Sequence, residues 1–142
     1  MESVCAVNAK TFEERVMRVH HIGLVCSSEE NAERFYRGLL GCERTRSYPV
    51  PAELSKGLFD FDCTYPAHVY VKDDITVEVF VVEGGAATHP RIHHVGLEVE
   101  DMKTFLERCR SMQVQIMEVP KGEKIITMIK DFDGNMFEIK AV

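Results

Sequence analysis

The sequence predicts an α+β fold made of two successive β-α-β-β-β units. The first basis is a repeated phrase, since His-His-Ile-Gly-Leu at positions 20–24 returns as His-His-Val-Gly-Leu at positions 93–97. The second basis is the order of patterns after each phrase, where one helix-period segment precedes three strand-period segments. Both units end on an apolar strand with a glutamate in its middle, Glu78 in the first and Glu138 in the second. The chain therefore carries an internal repeat.

The first unit opens with the strand of the repeated histidines and continues into a helix. We expect Ser27 to cap this helix, with Glu30 completing a capping box three positions later. Gly41 is expected to end it. Its apolar stripe consists of Ala32, Phe35, Tyr36, Leu39 and Leu40. Strands follow at about 42–48, 66–72 and 75–82, with Asp73-Asp74 as the turn between the last two.

The second unit repeats this order. Asp101 is expected to cap its helix. The matching stripe consists of Met102, Phe105, Leu106 and Cys109, with Met112 just beyond. Strands follow at about 113–119, 124–130 and 135–141, and Asp133-Gly134-Asn135 is typical of a hairpin turn.

The expected domain organisation is one domain over residues 1–142. It divides into a module at 18–83 and a module at 91–141, joined by a linker at 84–90 that is rich in small residues and ends in proline. A chain of this length with 45% hydrophobic residues suffices for one well-packed domain. Residues 1–17 form a tail or a short helix near 11–17, to which we assign no function.

The segment 49–65 has no counterpart in the second unit. Prolines at 49, 51 and 66 and a glycine at 57 interrupt the strand pattern, so a long loop is expected here. Its apolar and aromatic residues either line a pocket or pack against the sheet. These residues are Leu54, Leu58, Phe59, Phe61 and Tyr65.

Composition excludes several classes of function. The net charge of −6 and the even spread of both signs leave no basic stripe for nucleic acid. The N-terminal segment is too charged for a signal peptide, and the apolar runs are too short to span a membrane. Five cysteines without a Cys-x-x-Cys pair indicate a reduced, cytoplasmic chain, in which Cys26, Cys42 and Cys109 serve as small buried side chains.

The repeated histidines and glutamates are candidate metal ligands. Successive strand residues point to opposite faces, so only one histidine of each pair reaches a common site. The alternation favours His21 and His94, because each shares a face with a glycine two positions on that leaves open space. A carboxylate within an apolar strand is costly unless it is paired or binds a cation, which favours Glu78 and Glu138 as partners. Imidazole with carboxylate suits Zn, Ni, Co, Mn or Fe(II).

The remaining polar residues are weaker candidates. His68 lies in a strand pattern and either points into the same cavity or packs as an ordinary buried histidine. His89 in the linker is expected to be solvated. The basic residues near strand ends either meet an anionic substrate or are simply exposed. They are Arg44, Arg46, Lys121 and Lys124.

With these motifs the chain resembles the vicinal oxygen chelate superfamily, also called the glyoxalase, bleomycin-resistance and extradiol-dioxygenase superfamily. The resemblance covers about residues 18–141. It rests on the two His-His phrases, Phe35-Tyr36, Leu39-Leu40-Gly41, Val77-Glu78-Val79 and the segment from Asp131 to Ile139.

The resemblance implies two paired βαβββ modules that curve a mixed or antiparallel sheet around a half-open cleft. It also implies a homodimer and one divalent metal ion per site, of Ni, Co, Zn, Mn or Fe. The implied ligands are His21, Glu78, His94 and Glu138, an order that resembles bacterial nickel- or cobalt-dependent glyoxalase I. Whether the cleft closes within one chain or between two chains stays open.

The implied activity is that of a glyoxalase I-like lyase or isomerase. Such an enzyme moves a proton between adjacent carbons of a hemithioacetal of an α-keto aldehyde, such as methylglyoxal, through an enediolate. Glu138 is the first choice as the base and Glu78 the second. No convincing set of residues for the glutathione carboxylates can be identified.

Three alternatives follow from the same resemblance. A methylmalonyl-CoA epimerase matches comparably around Ile92-His93-His94-Val95 and also removes an α-proton beside a metal-bound oxygen. A drug-resistance type of binding protein would use the cleft without turnover, but it normally needs no metal. An extradiol dioxygenase would use two histidines and one glutamate, and a ligating Glu78 would crowd that site.

Overall fold

The structure is a computed structural model that describes residues 10–88, 92–130, 132 and 136–142. Eight strands form its sheet: β1 Met17–Cys26, β2 Glu43–Val50, β3 Tyr65–Lys72, β4 Ile75–Val81, β5 His94–Val99, β6 Gln115–Lys121, β7 Lys124–Lys130 and β8 Met136–Ala141. The α-helices are α1 Glu29–Ala32, α2 Ala52–Phe59 and α3 Met102–Ser111. A π-helical segment, Glu33–Leu39, extends α1, and a 3₁₀ turn covers Gly85–Ala87.

One mixed sheet contains all eight strands in the order β2-β3-β4-β1-β5-β8-β7-β6. In each half the first strand pairs in parallel with the last, β1 with β4 and β5 with β8. The halves meet where β1 and β5 pair antiparallel at the centre of the sheet. The predicted α+β fold class is therefore confirmed, while the division into modules 18–83 and 91–141 stays a prediction.

The sheet buries apolar residues on both faces in its first half. Strand β4 shows the alternation, because Val79 packs on the side of α1 and Phe80 packs on the opposite side with α2. The cluster on the α1 side consists of Ala32, Tyr36, Cys42, Tyr70, Val77 and Val79. The cluster on the α2 side consists of Val25, Val50, Leu58, Phe59, Tyr65, Ala67, Phe80, Val82, Ile92 and Met128.

The first helix differs from its prediction in its cap and its buried face. Ser28, and not Ser27, is the cap, since its hydroxyl accepts from the Asn31 N–H at 3.1 Å. The π-helical turns close five residues apart, so the helix does not keep the 3.6-residue period on which the stripe was predicted. Phe35 and Leu39 are consequently exposed, at 48% and 71%.

Two boundary signals are confirmed. Gly41 follows the helix with a φ of 73°, a left-handed conformation that glycine adopts without strain. Asp101 caps α3, because its carboxylate accepts from the Thr104 N–H at 3.0 Å. The predicted hairpin turn at 133–135 and the end of the linker at 89–91 lie outside the described residues.

The predicted long loop at 49–65 is wrong in part, because it contains helix α2. Pro51 is its N-terminal flanking residue, a position where the absent N–H of proline costs nothing. Strand β2 also continues through Pro49 to Val50, which is tolerated because β2 is an edge strand of the sheet. Proline therefore marked the borders of elements and not a loop.

No helix in the described part of the chain is long and apolar enough to cross a membrane. The four described cysteines are free thiols. Cys42 and Cys109 are buried as predicted, and Cys26 is half-buried.

Candidate metal centre

Three predicted ligands meet at the centre of the sheet, where β1, β5 and β8 lie side by side. His21 and His94 place their Nε2 atoms 2.8 Å apart. The Glu138 Oε2 atom lies 3.0 Å from His21 Nε2 and 3.6 Å from His94 Nε2. All three belong to one chain, and the group lies between the two halves of the repeat.

Each histidine ring occupies space left by a glycine on the neighbouring strand. The register pairs His21 with Gly96 and Gly23 with His94. A Cβ built on either glycine would lie closer than 3.0 Å to the facing imidazole, a separation that real Cβ atoms essentially never have. The glycines therefore leave space on the neighbouring strand, and the histidine of the opposite half fills it.

The hydrogen bonds at Nδ1 determine which nitrogen of each ring faces the centre. His94 Nδ1 lies 2.9 Å from the carbonyl oxygen of Ile92, which can only accept, so the ring donates there and presents an unprotonated Nε2 when neutral. His21 Nδ1 lies 2.9 Å from Nδ1 of His20. Because Nε2 of neutral His94 carries a lone pair, the 2.8 Å contact requires either a proton on His21 Nε2 or a cation between the two nitrogens.

Electrostatics favour a carboxylate beside these rings. Burial raises the pKa of Glu138, but the neighbouring His21 and His94 rings and the Lys140 charge outweigh this and hold the pKa well below its usual range. Burial lowers the pKa of His94, yet the nearby Glu138 carboxylate and the hydrogen bond to the Ile92 carbonyl leave that pKa raised. The group thus holds one half-buried negative charge that attracts positive charge.

The donor set fits a divalent cation. Metal–ligand bonds of ~2.1 Å place neighbouring ligands of an octahedral ion about 3.0 Å apart. The three donor atoms all lie within 4.8 Å of one another, and two of their separations are 2.8 and 3.0 Å. Two imidazoles and a carboxylate on one side of an ion leave its other positions open.

Glu78, the fourth predicted ligand, lies outside this group of three and faces the same cavity. Its carboxylate lies near the Tyr48 hydroxyl. Burial raises the pKa of Tyr48, and the charge of Glu78 raises it further, so the phenol stays a donor. Glu78 is thus half-buried beside the centre without contacting both histidines.

An open cavity with about 520 Å³ of empty space, part of it open to solvent, adjoins the centre. Leu54, Leu58 and Phe59 of the segment 49–65 line it, and the Phe59 ring stacks on His94 with centroids 5.8 Å apart. Phe61 and Tyr65 instead stack on each other in the core. Both readings of this segment therefore hold, each for different residues.

The basic residues separate into two groups. Arg46 and Lys121 line the cavity and lie over the Tyr48 ring, 5.0 and 5.3 Å from its centroid. Arg44 instead pairs with Glu29 at 2.8 Å on the α1 side. Lys124 does not line the cavity.

His68 does not point into the cavity. It lies on the α1 face of the sheet, where its Nδ1 is 2.7 Å from the Ser47 hydroxyl and its Nε2 is 3.4 Å from Glu29 Oε1 without hydrogen-bond geometry. It is a packed histidine with 6% exposure. His89 lies outside the described residues.

Sequence reasoning missed Tyr48, Lys140 and His20 as neighbours of the centre. Lys140 lies 3.4 Å from Glu138 Oε1, and strand alternation places residues 138 and 140 on one face, so this neighbour was detectable. Tyr48 faces Glu78 only because β2, β3 and β4 are adjacent, which the sequence does not specify. His20 reaches His21 through an irregularity in strand pairing.

Comparisons with known proteins agree with this architecture. The sequence model described as the glyoxalase/bleomycin resistance protein/dioxygenase superfamily matches residues 20–127. No curated protein sequence matches the chain significantly.

Solved structures with the same fold are numerous but distant. A hypothetical protein from Bacillus halodurans C-125 aligns with a TM-score of 0.64 at 16% identity, over 89% of this chain and 94% of that one. Methylmalonyl-CoA epimerase from Mycobacterium tuberculosis aligns with a TM-score of 0.62 at 14% identity, over 87% and 86%. A Streptomyces coelicolor methylmalonyl-CoA epimerase variant in complex with 2-nitronate-propionyl-CoA aligns with a TM-score of 0.61 at 18% identity, over 87% and 96%. At such identities the likeness shows the fold alone.

Proposed function

Because the chain belongs to the glyoxalase/bleomycin resistance protein/dioxygenase superfamily, we propose that it is a metal-dependent lyase or isomerase of the glyoxalase I type. It moves a proton between adjacent carbons of a small substrate that carries two vicinal oxygens. The observation that supports this most directly is the pair of Nε2 atoms 2.8 Å apart beside a half-buried carboxylate. A divalent cation would accept a nitrogen lone pair from each ring and balance the charge of the carboxylate.

His21, His94 and Glu138 would hold the metal ion. When bound, a divalent ion polarises the substrate oxygens and stabilises the negative charge that develops as the carbon-bound proton leaves. Ni, Co, Zn, Mn and Fe(II) all suit this donor set. Glu78 lies outside this group of three and faces the same cavity.

Glu78 and Glu138 are the two candidates for carrying the proton. Their surroundings suit them to different roles. Glu138 lies between the two histidine rings and Lys140 and has a strongly lowered pKa, so it gains basicity only if those contacts loosen. Glu78 faces the cavity beside Tyr48 and lies outside the group of three. The contacts thus favour Glu138 for holding the ion and Glu78 for carrying the proton.

The walls of the cavity favour an anionic substrate. Arg46 and Lys121 lie at the cavity without a carboxylate partner among the described residues, so their charges are free to meet an anion. A hemithioacetal of glutathione with methylglyoxal carries carboxylates and fits this chemistry. The apolar wall formed by Leu54, Leu58 and Phe59 would exclude water from the reacting carbons.

A methylmalonyl-CoA epimerase is the second candidate. Epimerisation removes a proton from one face of a carbon and returns one to the other face, which is served by two acid–base groups. Glu78 and Glu138 both border the cavity, and solved structures of epimerases share this fold. The free cations at Arg46 and Lys121 suit coenzyme A phosphates equally well.

A non-catalytic binding protein would use the same cavity without turnover. That function gives no role to the two facing Nε2 atoms and the half-buried Glu138. The expected homodimer and cytoplasmic location stay predictions, and size-exclusion chromatography with light scattering tests the first of them.

The first experiment is metal analysis of purified protein by inductively coupled plasma mass spectrometry after dialysis against metal-free buffer. We compare wild type with Glu138→Ala and Glu78→Gln, the second as a matched carboxylate change in the same cavity. The expected result is about one ion per chain in wild type, most of it retained in Glu78→Gln and lost in Glu138→Ala. No bound ion and no uptake on reconstitution would overturn the proposal and leave a binding protein.

Activity assays then separate the two enzymes. Metal-loaded protein is offered the methylglyoxal–glutathione hemithioacetal or a single methylmalonyl-CoA epimer, and solvent deuterium incorporation is followed by NMR. Turnover of the first substrate supports the glyoxalase I type, and turnover of the second alone supports the epimerase. Glu78→Gln is expected to lose activity by about 100-fold or more while still binding metal.

A further inference from the structure

We propose that His20 is a positioning residue that holds the His21 ring with Nε2 directed at the metal and, together with Glu98, strengthens metal binding. This inference rests on the proposed metal site. It concerns the first histidine of the first repeated phrase, which strand alternation alone would place away from the site.

Strand pairing explains how His20 reaches its neighbour. Between Val19 and His21 the register of β1 on β5 shifts, because the pairs are Val19 with Leu97 and His21 with Gly96. Two positions on β1 thus face one position on β5, and His20 is the additional residue of a bulge. Bulges re-aim side chains next to functional sites. Here the two imidazole rings meet edge to face, with centroids 5.1 Å apart and an interplanar angle of 88°.

The position of the proton on the His21 ring determines the position of the proton on the His20 ring. If His21 Nε2 offers its lone pair to a metal, the neutral ring carries its proton on Nδ1. That proton is donated to Nδ1 of His20, 2.9 Å away. His20 then carries its own proton on Nε2, which faces the Glu98 carboxylate at 3.7 Å. A carboxylate at the far end of such a chain makes a ligating imidazole a better donor to the metal.

In the second copy of the phrase, a different acceptor orients the ligating histidine. The proton on His94 Nδ1 goes to the backbone carbonyl of Ile92. His93, which corresponds to His20, has a buried Nε2 with no hydrogen-bond partner among the described residues. The two repeats therefore contain equivalent histidine pairs, and only the first uses its leading histidine as a partner of the ligand. This makes His93 a matched control.

The test measures Co²⁺ affinity by competition with a chromophoric chelator, and the coordination of the bound ion by its visible absorption. His20→Phe keeps an aromatic ring and removes the acceptor, so its affinity is expected to fall about 10- to 100-fold. His20→Asn restores an acceptor oxygen near the position of Nδ1 and is expected to recover most of the loss. Glu98→Gln is expected to lie between wild type and His20→Phe, and His93→Phe to bind like wild type.

The outcomes distinguish this inference from the proposed function. Wild-type Co²⁺ affinity in His20→Phe, or an equal loss in His93→Phe, would overturn the positioning role and leave the metal site intact. Absence of Co²⁺ binding in wild type would overturn both. If circular dichroism shows that His20→Phe does not fold, Glu98→Gln and His20→Asn provide the test. Unchanged Co²⁺ affinity in Glu98→Gln together with a full loss in His20→Asn would contradict the positioning role of His20 and Glu98.

Discussion

Substitution of Gly96 by alanine tests the packing of the metal centre with a single methyl group. Gly96 lies opposite His21 across the central strand pair, and an added Cβ would fall closer than 3.0 Å to the His21 ring. Restoring an ordinary contact of about 3.5 Å requires the ring to move by roughly 1 Å. His21 has 3% exposure and is enclosed by neighbouring imidazoles, so it has no free direction in which to move.

The expected magnitude follows from the tolerance of metal bonds. Ligand distances are held within about 0.2 Å, so a ring displaced by about 1 Å no longer binds well. We expect Gly96→Ala to reduce metal affinity about 100-fold or more and to lower the free energy of unfolding by about 1–3 kcal/mol through overpacking. Chelator competition measures the first effect and urea unfolding of the metal-free protein measures the second.

Gly38→Ala is the matched control for this experiment. A Cβ at Gly38 would lie 3.7 Å from the backbone oxygen of Glu33, which is an ordinary contact. The control is expected to bind metal normally and to be at least as stable as wild type. Wild-type affinity in Gly96→Ala would refute the reasoning, because it would show that His21 does not occupy the space beside Gly96 when metal is bound.

Two further predictions concern stability. Saturating Ni²⁺ or Co²⁺ at 1,000 times its dissociation constant should stabilise the fold by about 4 kcal/mol, so the melting temperature should fall on addition of excess EDTA; an unchanged melting temperature would contradict the site. Tyr70→Phe removes the 2.7 Å bond from a buried hydroxyl to Glu33, at a cost of about 1–2 kcal/mol. That bond holds the pKa of Glu33 below 4.5. The difference in the free energy of unfolding between wild type and variant, measured by denaturant titration, should therefore be complete above this pH and become smaller below it. A difference that stays constant into acid would contradict this account.

The sequence by itself determined the repeat and most of the elements built from it. The spacing of apolar residues and the capping and turn residues suffice where local interactions decide the structure. The cap at Asp101 and the helix end at Gly41 are examples. In β4 Glu78 and Phe80 share the cavity face, as strand alternation requires, because side-chain direction in a strand follows from backbone geometry alone. The fold class follows from the order of these elements.

Other features depended on contacts between distant parts of the chain. The π-helical winding of Glu33–Leu39 departs from the regular period of its apolar stripe. The helix within 49–65 was missed because the prolines that flank it were interpreted as interruptions. The bulge that turns His20 toward His21 exists only in the pairing of β1 with β5. The sequence could name His21, His94 and Glu138, but only the central pairing of the two halves brings their donor atoms within 4.8 Å. Residue types and their order are local information, whereas distances between strands arise from tertiary packing.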